Sequence, residues 1–415
     1  MCRGKIIMTA LERFLEYVGF DTGSDSSKEE YPSTPGQRKL LDHLRQQLRE
    51  MGVTDVRQDA KYGYVYAAIP SNCKAQTIPA IGFIAHVDTS EAMSGHDIRP
   101  RVIKDFDGKD IVLNAEAGIV TRMEDFPEMK ELAGKTLVVT DGTTLLGADD
   151  KSGVTEIMEM AAYFCTHPEE KHGTICIAFT ADEETGRGVD YFNVQDFGAH
   201  YAYTVDGGRL GELSGENFNA AGAKVTAHGR SVHPGDAYGK MINALQVLMD
   251  LHALLPEKER PEHTKDREGF FHLTDMKGDV ECAVSEYIIR DHEDAKFEKK
   301  KELFRHAVDE INAKYGEGTL TLDLQDQYYN MKGRLDAHPE VMAKAQAAME
   351  TCGVEVQIEP IRGGTDGARL TFMGLPCPNL CTGGGNFHGK HEYLCVEDML
   401  TTIEILKQLV REWEA

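Results

Sequence analysis

Five short segments of this chain carry imidazoles or carboxylates, and four of them follow a hydrophobic run that reads as a strand. They are Ala85-His86-Val87-Asp88, Gly147-Ala148-Asp149-Asp150-Lys151, Asp182-Glu183-Glu184, Val205-Asp206-Gly207-Gly208 and Asn386-Phe387-His388-Gly389-Lys390-His391. In sheets built from strands that alternate with helices, ligands gather at the carboxyl ends of the strands. Neutral imidazoles mixed with carboxylates suit divalent zinc, cobalt or manganese. The donors suffice for two ions, and two metals that share a carboxylate point to hydrolysis.

The surrounding pattern supports such a sheet. Up to residue 214, helical patterns (11–18, 36–51, 151–165) alternate with extended runs (63–69, 80–85, 174–180, 200–205). In the third helix Val154, Ile157, Met158, Ala161 and Ala162 recur at helical spacing. Gly52 reads as the stop of the second. The expected fold is α/β, a mostly parallel mixed sheet covered by helices. Residues 215–325 follow another order: strand 221–228, helix 242–255, strands 269–275 and 282–289, helix 297–315, strand 319–325. That is a ferredoxin-like βαββαβ unit inserted as a second domain. Residues 326–415 must rejoin 1–214, because His388 is needed with the other ligands.

Composition narrows the classes. A chain of 415 residues is too long for one ordinary core, so two domains are expected. A formal charge of −24 repels phosphate backbones and argues against nucleic acid as a partner. Nine cysteines, an odd count without a CxxC, suit a reducing compartment rather than a structural Cys₄ site. Arg3 and Lys5 precede a few apolar residues, but Glu12, Arg13 and Glu16 interrupt any signal-peptide core. No apolar run is long enough to span a bilayer, so the expectation is a cytoplasmic protein with no membrane partner.

Each segment alone has an ordinary reading. His86 and Asp88 lean to the same face of a strand, as a ligand with its tautomer-fixing partner or as a simple hydrogen-bonded pair. Asp149 and Asp150 stand where a carboxylate bridges cations or caps a helix. Glu183 and Glu184 repel each other unless positive charge is close, so one ligates while the other takes a proton, or both are a solvated loop. Asp206 precedes two glycines, as in a turn or where the backbone passes close to something. Of His388 and His391, only one need be a ligand. The joint occurrence of all five segments is what favours a site.

The order of motifs resembles the dinuclear zinc metallopeptidases that include carboxypeptidases, desuccinylases, aminoacylases and tripeptide aminopeptidases. The last are the most similar, through Gly215-Glu216-Asn217-Phe218-Asn219-Ala220-Ala221, Tyr287-Ile288-Ile289-Arg290-Asp291, Tyr328-Tyr329-Asn330-Met331, Pro360-Ile361-Arg362-Gly363-Gly364-Thr365-Asp366-Gly367 and Gly374-Leu375-Pro376-Cys377-Pro378-Asn379-Leu380. The resemblance implies two zinc ions per subunit, with cobalt or manganese as substitutes. His86 and Asp206 hold one, Glu184 and His388 the other, and Asp149 bridges both. Asp88 orients His86, Glu183 is the general base, and the Asp149–Asp150 bond is cis.

It further implies that His233, in Gly229-Arg230-Ser231-Val232-His233-Pro234-Gly235, donates to the developing oxyanion from the inserted lid domain. Arg290 and Arg362 grip the carboxylate of a small peptide substrate, and that clamp acts as a ruler favouring three residues. Two chains pair through the lid domain. The implied activity is removal of the N-terminal residue from tripeptides. The alternatives are dipeptidase, carboxypeptidase or aminoacylase action on the same scaffold, or a non-catalytic metal-stabilised binding protein. Gly385 and Phe387 depart from the tyrosine-like residues usual among tripeptide aminopeptidases, which bears on pocket shape and not on the ligands.

Overall fold

The computed structural model describes residues 8–74 and 78–414. Cys2, Arg3 and Lys5 lie outside the described residues. Two compact units form: one comprises the chain up to Gly215, Arg334–Glu359 and the residues from Thr365 on, the other Glu216–Gly333 with Pro360–Gly364.

The first unit is built on an eight-stranded mixed sheet. Its centre is parallel. Ile81–His86 lies between Ile175–Thr180 and Tyr201–Val205, with His86 level with Thr180. Asn379–Leu380 pairs parallel on the outer side of Tyr201–Val205. Both faces are covered, which explains why these strands are apolar throughout. Phe83, Ala85, Ile177 and Phe179 pack toward helices Pro35–Met51 and Ala148–Thr166, in one core with Leu40, Leu44, Ile157 and Met158. Ile84, Ala178 and Ala202 pack on the opposite face with Phe192, Phe197 and Leu370. Gly52 ends its helix in the left-handed conformation, φ +100°.

Two features were not anticipated from sequence. A hairpin joins Ile111–Asn114 to Ile119–Thr121, and a four-stranded antiparallel sheet has the order Gly384–Gly385, Tyr393–Cys395, Leu137–Val139, Arg101–Ile103. The segment carrying His388 is the loop between the first two strands of that sheet.

The second unit has the strand and helix order expected of the inserted domain. A four-stranded antiparallel sheet runs Phe270–Gly278, Cys282–Asp291, Asn219–His228, Leu320–Tyr328. Helices Ala244–Leu254 and Asp294–Tyr315 bury Leu248, Leu251, Phe297 and Phe304 against Val225 and Ile289. Its limits differ from 215–325. The last strand continues to Tyr328, and Pro360–Gly364 returns to this unit. The return is held by backbone and side chain: Ile361 N–H donates to Glu216 O at 2.8 Å, and Arg362 donates to the carbonyls of Asp266 and Glu268.

Candidate metal centre

The first unit brings His86, Asp149, Glu184, Asp206 and His388 together, and Asp149 lies at their middle. Its Oδ1 is 3.0 Å from His86 Nε2, which is also 3.3 Å from Asp206 Oδ1. Its Oδ2 is 3.1 Å from His388 Nε2, which is 3.0 Å from Glu184 Oε2. Two imidazole–carboxylate pairs therefore share one carboxylate, one oxygen to each. Donors at ~2.0–2.1 Å from a tetrahedral zinc lie roughly 3.3 Å from one another, so this spacing fits an ion in each pair. Glu184 Oε1 is buried and has no hydrogen-bond partner, a second sign that a cation belongs here.

The electrostatics agree. Burial pulls the His86 imidazolium down, but Asp206, Asp149 and Asp88 overcome it and the group stays charged well above the usual range. His388 is pushed up to about 11 by Asp149 and Glu184. Burial pushes Glu184 up to about 7 and Asp206 up to about 6, and holds Glu183 well above the carboxylate range. Asp149 also feels its burial, yet the two imidazoles outweigh it and keep the carboxyl below the ordinary value. Without ions, protons gather where positive charge is needed.

Local structure explains the placement. The bond between Asp149 and Asp150 is cis. Neither residue has helical φ/ψ, and the two divide their work. Asp150 accepts from Gly153 N–H at 3.1 Å, as a helix cap does, and from His86 N–H at 3.2 Å. Asp150 also comes within ligand reach of His86 and Asp206, but both its oxygens are taken by these N–H groups. Asp149 is left to face the imidazoles. A Cβ on Gly153 would stand 1.8 Å from Val205 O, so only glycine lets this helix lie against the strand that delivers Asp206. Gly207 likewise passes against Leu380, whose carbonyl accepts its N–H at 2.7 Å.

Asp88 is fully buried and serves two ligand segments. Its Oδ1 is 3.3 Å from His86 Nδ1, and its backbone carbonyl 3.1 Å, leaving Nε2 to the centre. Its two oxygens also accept the backbone N–H groups of Glu183 and Glu184, each at 3.1 Å.

Of the remaining candidates, His391 is directed elsewhere. Its Nδ1 is 2.9 Å from Thr121 Oγ1 and its ring packs on Phe126. His233, exposed in the second unit, accepts Gly235 N–H on Nδ1 at 3.1 Å, so in the neutral ring Nε2 carries the proton. Arg290 donates to Arg362 O at 3.1 Å and lies between the rings of Phe270 and Tyr328, while its buried Nε has no partner. Arg362 instead uses its guanidinium on Asp266 O, Glu268 O and Thr264 Oγ1, and stacks over Phe218.

Two buried acids escaped the sequence reading. Glu392 accepts the N–H groups of Leu146 (2.6 Å), Gly147 (2.9 Å) and Asp149 (3.1 Å), fixing the loop that presents Asp149. Asp366 accepts from Thr180 Oγ1 at 3.1 Å, just beyond the strand pair that carries His86. Glu392 stands directly after His391 without a pattern of its own, and Asp366 lies within Arg362-Gly363-Gly364-Thr365-Asp366-Gly367, where nothing marks it apart from its neighbours.

Comparison with known proteins follows the same lines. Residues 136–412 match the profile of the family described as Peptidase family M20/M25/M40. The chain is 52% identical over 401 residues to Peptidase T of Alkaliphilus oremlandii, covering 96% of this chain and 98% of the relative. It is 49% identical over 405 residues to Peptidase T of Bacillus subtilis, covering 98% of each. The crystal structure of aminopeptidase PepT from Bacillus cereus shares the fold with a TM-score of 0.76 at 22% identity, over 98% of both chains. A dinuclear metal-binding peptidase of the M20 family from Bacillus subtilis gives 0.64 at 13% identity, over 97% of this chain and 96% of that one.

Proposed function

We propose, from the premise that the chain belongs to peptidase family M20/M25/M40, that it is a metallo-aminopeptidase releasing the N-terminal residue of tripeptides. One observation carries the reading: the carboxylate of Asp149 spans two imidazole–carboxylate pairs. The relatives named Peptidase T, near half identical along almost the whole chain, support the substrate class.

In this reading His86 and Asp206 would hold one ion and His388 and Glu184 the other, with Asp149 available to both. Zinc is the ion this mixed nitrogen and oxygen donor set favours, with cobalt or manganese as substitutes. Two ions held there would supply an acidified water and Lewis acidity for the scissile carbonyl. The chain does the rest. Asp88 keeps the His86 Nδ1 proton engaged, so Nε2 is left unprotonated, with its lone pair facing the centre. Glu183 takes the water's proton and returns it to the departing amine. Its burial raises its proton affinity toward the range a base needs at neutral pH. His233 donates its Nε2–H to the developing oxyanion. Arg290, with an edge of its guanidinium free, takes the peptide's carboxylate, a role Arg362 supports from behind by shaping the loop 264–268.

Pairing of two chains through the second unit belongs to the same proposal, as does the cytoplasm. Eight described cysteines are all free thiols, as a reducing compartment favours. Among the described residues no helix is long and apolar enough to cross a membrane.

The test is product analysis on trialanine and N-acetyl-trialanine with bound metal measured in parallel. Release of alanine from the free peptide alone, in step with metal content, is expected. Cleavage of the acetyl group instead would make the enzyme an aminoacylase, and turnover after complete chelation would remove the metal mechanism.

A further inference from the structure

We propose that Gln37 is a positioning residue for Glu183, acting through Asp182. The inference rests on Glu183 being the proton carrier and goes on to name what aims it.

Asp182 is the residue before Glu183, fully buried, with its backbone in the left-handed region at φ +59°. Aspartate tolerates that conformation better than most residues, and here it is adopted without access to solvent. Here one side chain grips it twice. Gln37 Oε1 accepts the Asp182 N–H at 3.0 Å, and Gln37 Nε2 donates to Asp182 Oδ1 at 2.7 Å. Ser33 completes the cradle: its N–H donates to Asp182 Oδ2 at 2.7 Å and its hydroxyl to Oδ1. A primary amide can accept from an N–H and donate to a carboxylate at once. Glutamate in its place would oppose one carboxylate with another, and an apolar side chain could do neither.

The anchor is rigid. Gln37 is itself fully buried, in the first turn of helix Pro35–Met51, whose Leu40, Leu41, Leu44 and Leu48 are all fully buried in the core. Tyr31, just before the helix, reaches the carbonyls at both ends of the same loop, Ala181 O at 2.6 Å and Gly188 O at 3.0 Å. The turn leaving Asp182 closes on it again, since Arg187 N–H donates to Asp182 O at 3.0 Å. The chain thus enters Glu183 held on one side from a helix that contributes no ligand, and on the other by Asp88, which accepts the Glu183 N–H at 3.1 Å. Glu184 gains a second anchor when an ion is bound, whereas Glu183 depends on its backbone. Loss of Gln37 should therefore fall on the proton transfer and spare the metal.

The test is a double-mutant cycle. Gln37→Leu and Glu183→Gln are made singly and together, and kcat, KM and bound metal are measured on trialanine. Gln37→Leu alone is expected to lower kcat about a hundredfold, the scale of an ångström-sized misplacement, with KM and metal content held. In the Glu183→Gln background the same change should cost nothing further, as for residues that act as a unit. Multiplying losses would make Gln37 a general support of the fold and overturn the proposal. Full activity of Glu183→Gln alone would instead remove the base assignment, and this inference with it. Should Gln37→Leu not fold, Ser33→Ala carries the identical cycle.

Discussion

Glu392 and Asp149 are joined by a hydrogen bond from the Asp149 backbone N–H to Glu392 Oε1, 3.1 Å long. Through it a buried acid that faces no ion fixes the residue shared by both ion positions. Glu392 also takes two further N–H groups from the preceding loop, so every oxygen it has is used on backbone.

Glu392→Gln should weaken ion binding more than it weakens the fold. The amide keeps the shape but turns an N–H toward an N–H. Partners that orient metal ligands typically carry about 10–100-fold in metal affinity. Competition with a chromophoric chelator measures it; an unchanged affinity would show that Asp149 needs no such support.

Glu183→Gln should lose roughly 10²–10⁴-fold in kcat while keeping both ions. Single-turnover hydrolysis of trialanine, beside elemental analysis of the same sample, separates the two effects. A near wild-type rate in the loaded variant would assign the proton transfer elsewhere.

Ion removal should matter more at higher pH. In the ion-free fold burial raises Glu184 to about 7 and Asp206 to about 6, and Asp149 and Glu184 raise His388 to about 11. An unfolded chain has these acids near ~4 and its imidazoles near ~6.5. Between about pH 4 and pH 8 the ion-free fold therefore binds more protons than the unfolded chain, so its stability falls as pH rises. The raised imidazole works with the same sign, since its contribution is full below ~6.5 and fades above. Asp149, held low, opposes this only below about pH 4. Ions replace those protons. Chelation should lower Tm more at about pH 8 than at about pH 5.5; equal drops would contradict the linkage.

Gly153→Ala should destabilise by about 1–3 kcal/mol or more, because the new methyl meets Val205 O at 1.8 Å and Asp150 Oδ1 at 2.4 Å, with backbone on one side. Denaturant unfolding of the ion-free protein reads the stability, and metal content reads the displacement of Asp206. Wild-type values for both would mean the helix shifts freely.

Arg290 and Arg362 should separate cleanly. Arg290→Ala should raise KM for tripeptides and relax the preference over di- and tetrapeptides. Arg362→Ala should mainly cost stability, about 1–3 kcal/mol for the carbonyls it leaves unpartnered. Equal length preference in Arg290→Ala and the parent would remove the carboxylate grip from Arg290.

Periodicity made the sheet legible. Ile81–His86, Ile175–Thr180 and Tyr201–Val205 are apolar runs with a ligand at or just past their ends, and buried strands must look that way. The inserted unit was legible for a similar reason, its amphipathic strands and helices having distinct periods. What stayed hidden depends on pairing across the chain. Gln37 and Asp182 are an ordinary helical glutamine and an ordinary loop aspartate until folding brings them to 2.7 Å. The return of Pro360–Gly364 to the second unit rests on a backbone bond from Ile361, the reach of Arg362 and the bond Arg290 makes to the Arg362 carbonyl, none of which has a local signature. The short strands around His388 are two or three residues long, too brief for any period to register.

The shared carboxylate has a consequence for synthesis. Its neighbours on one side, His86 and Asp206, leave the ribosome with it, whereas His388 follows only after the whole second unit has been made. A nascent chain thus owns three donors for one ion and two for the other. Glu392, which fixes the loop presenting Asp149, is made later still, so neither position is complete until the stretch from Leu380 to Glu392 has joined the sheet.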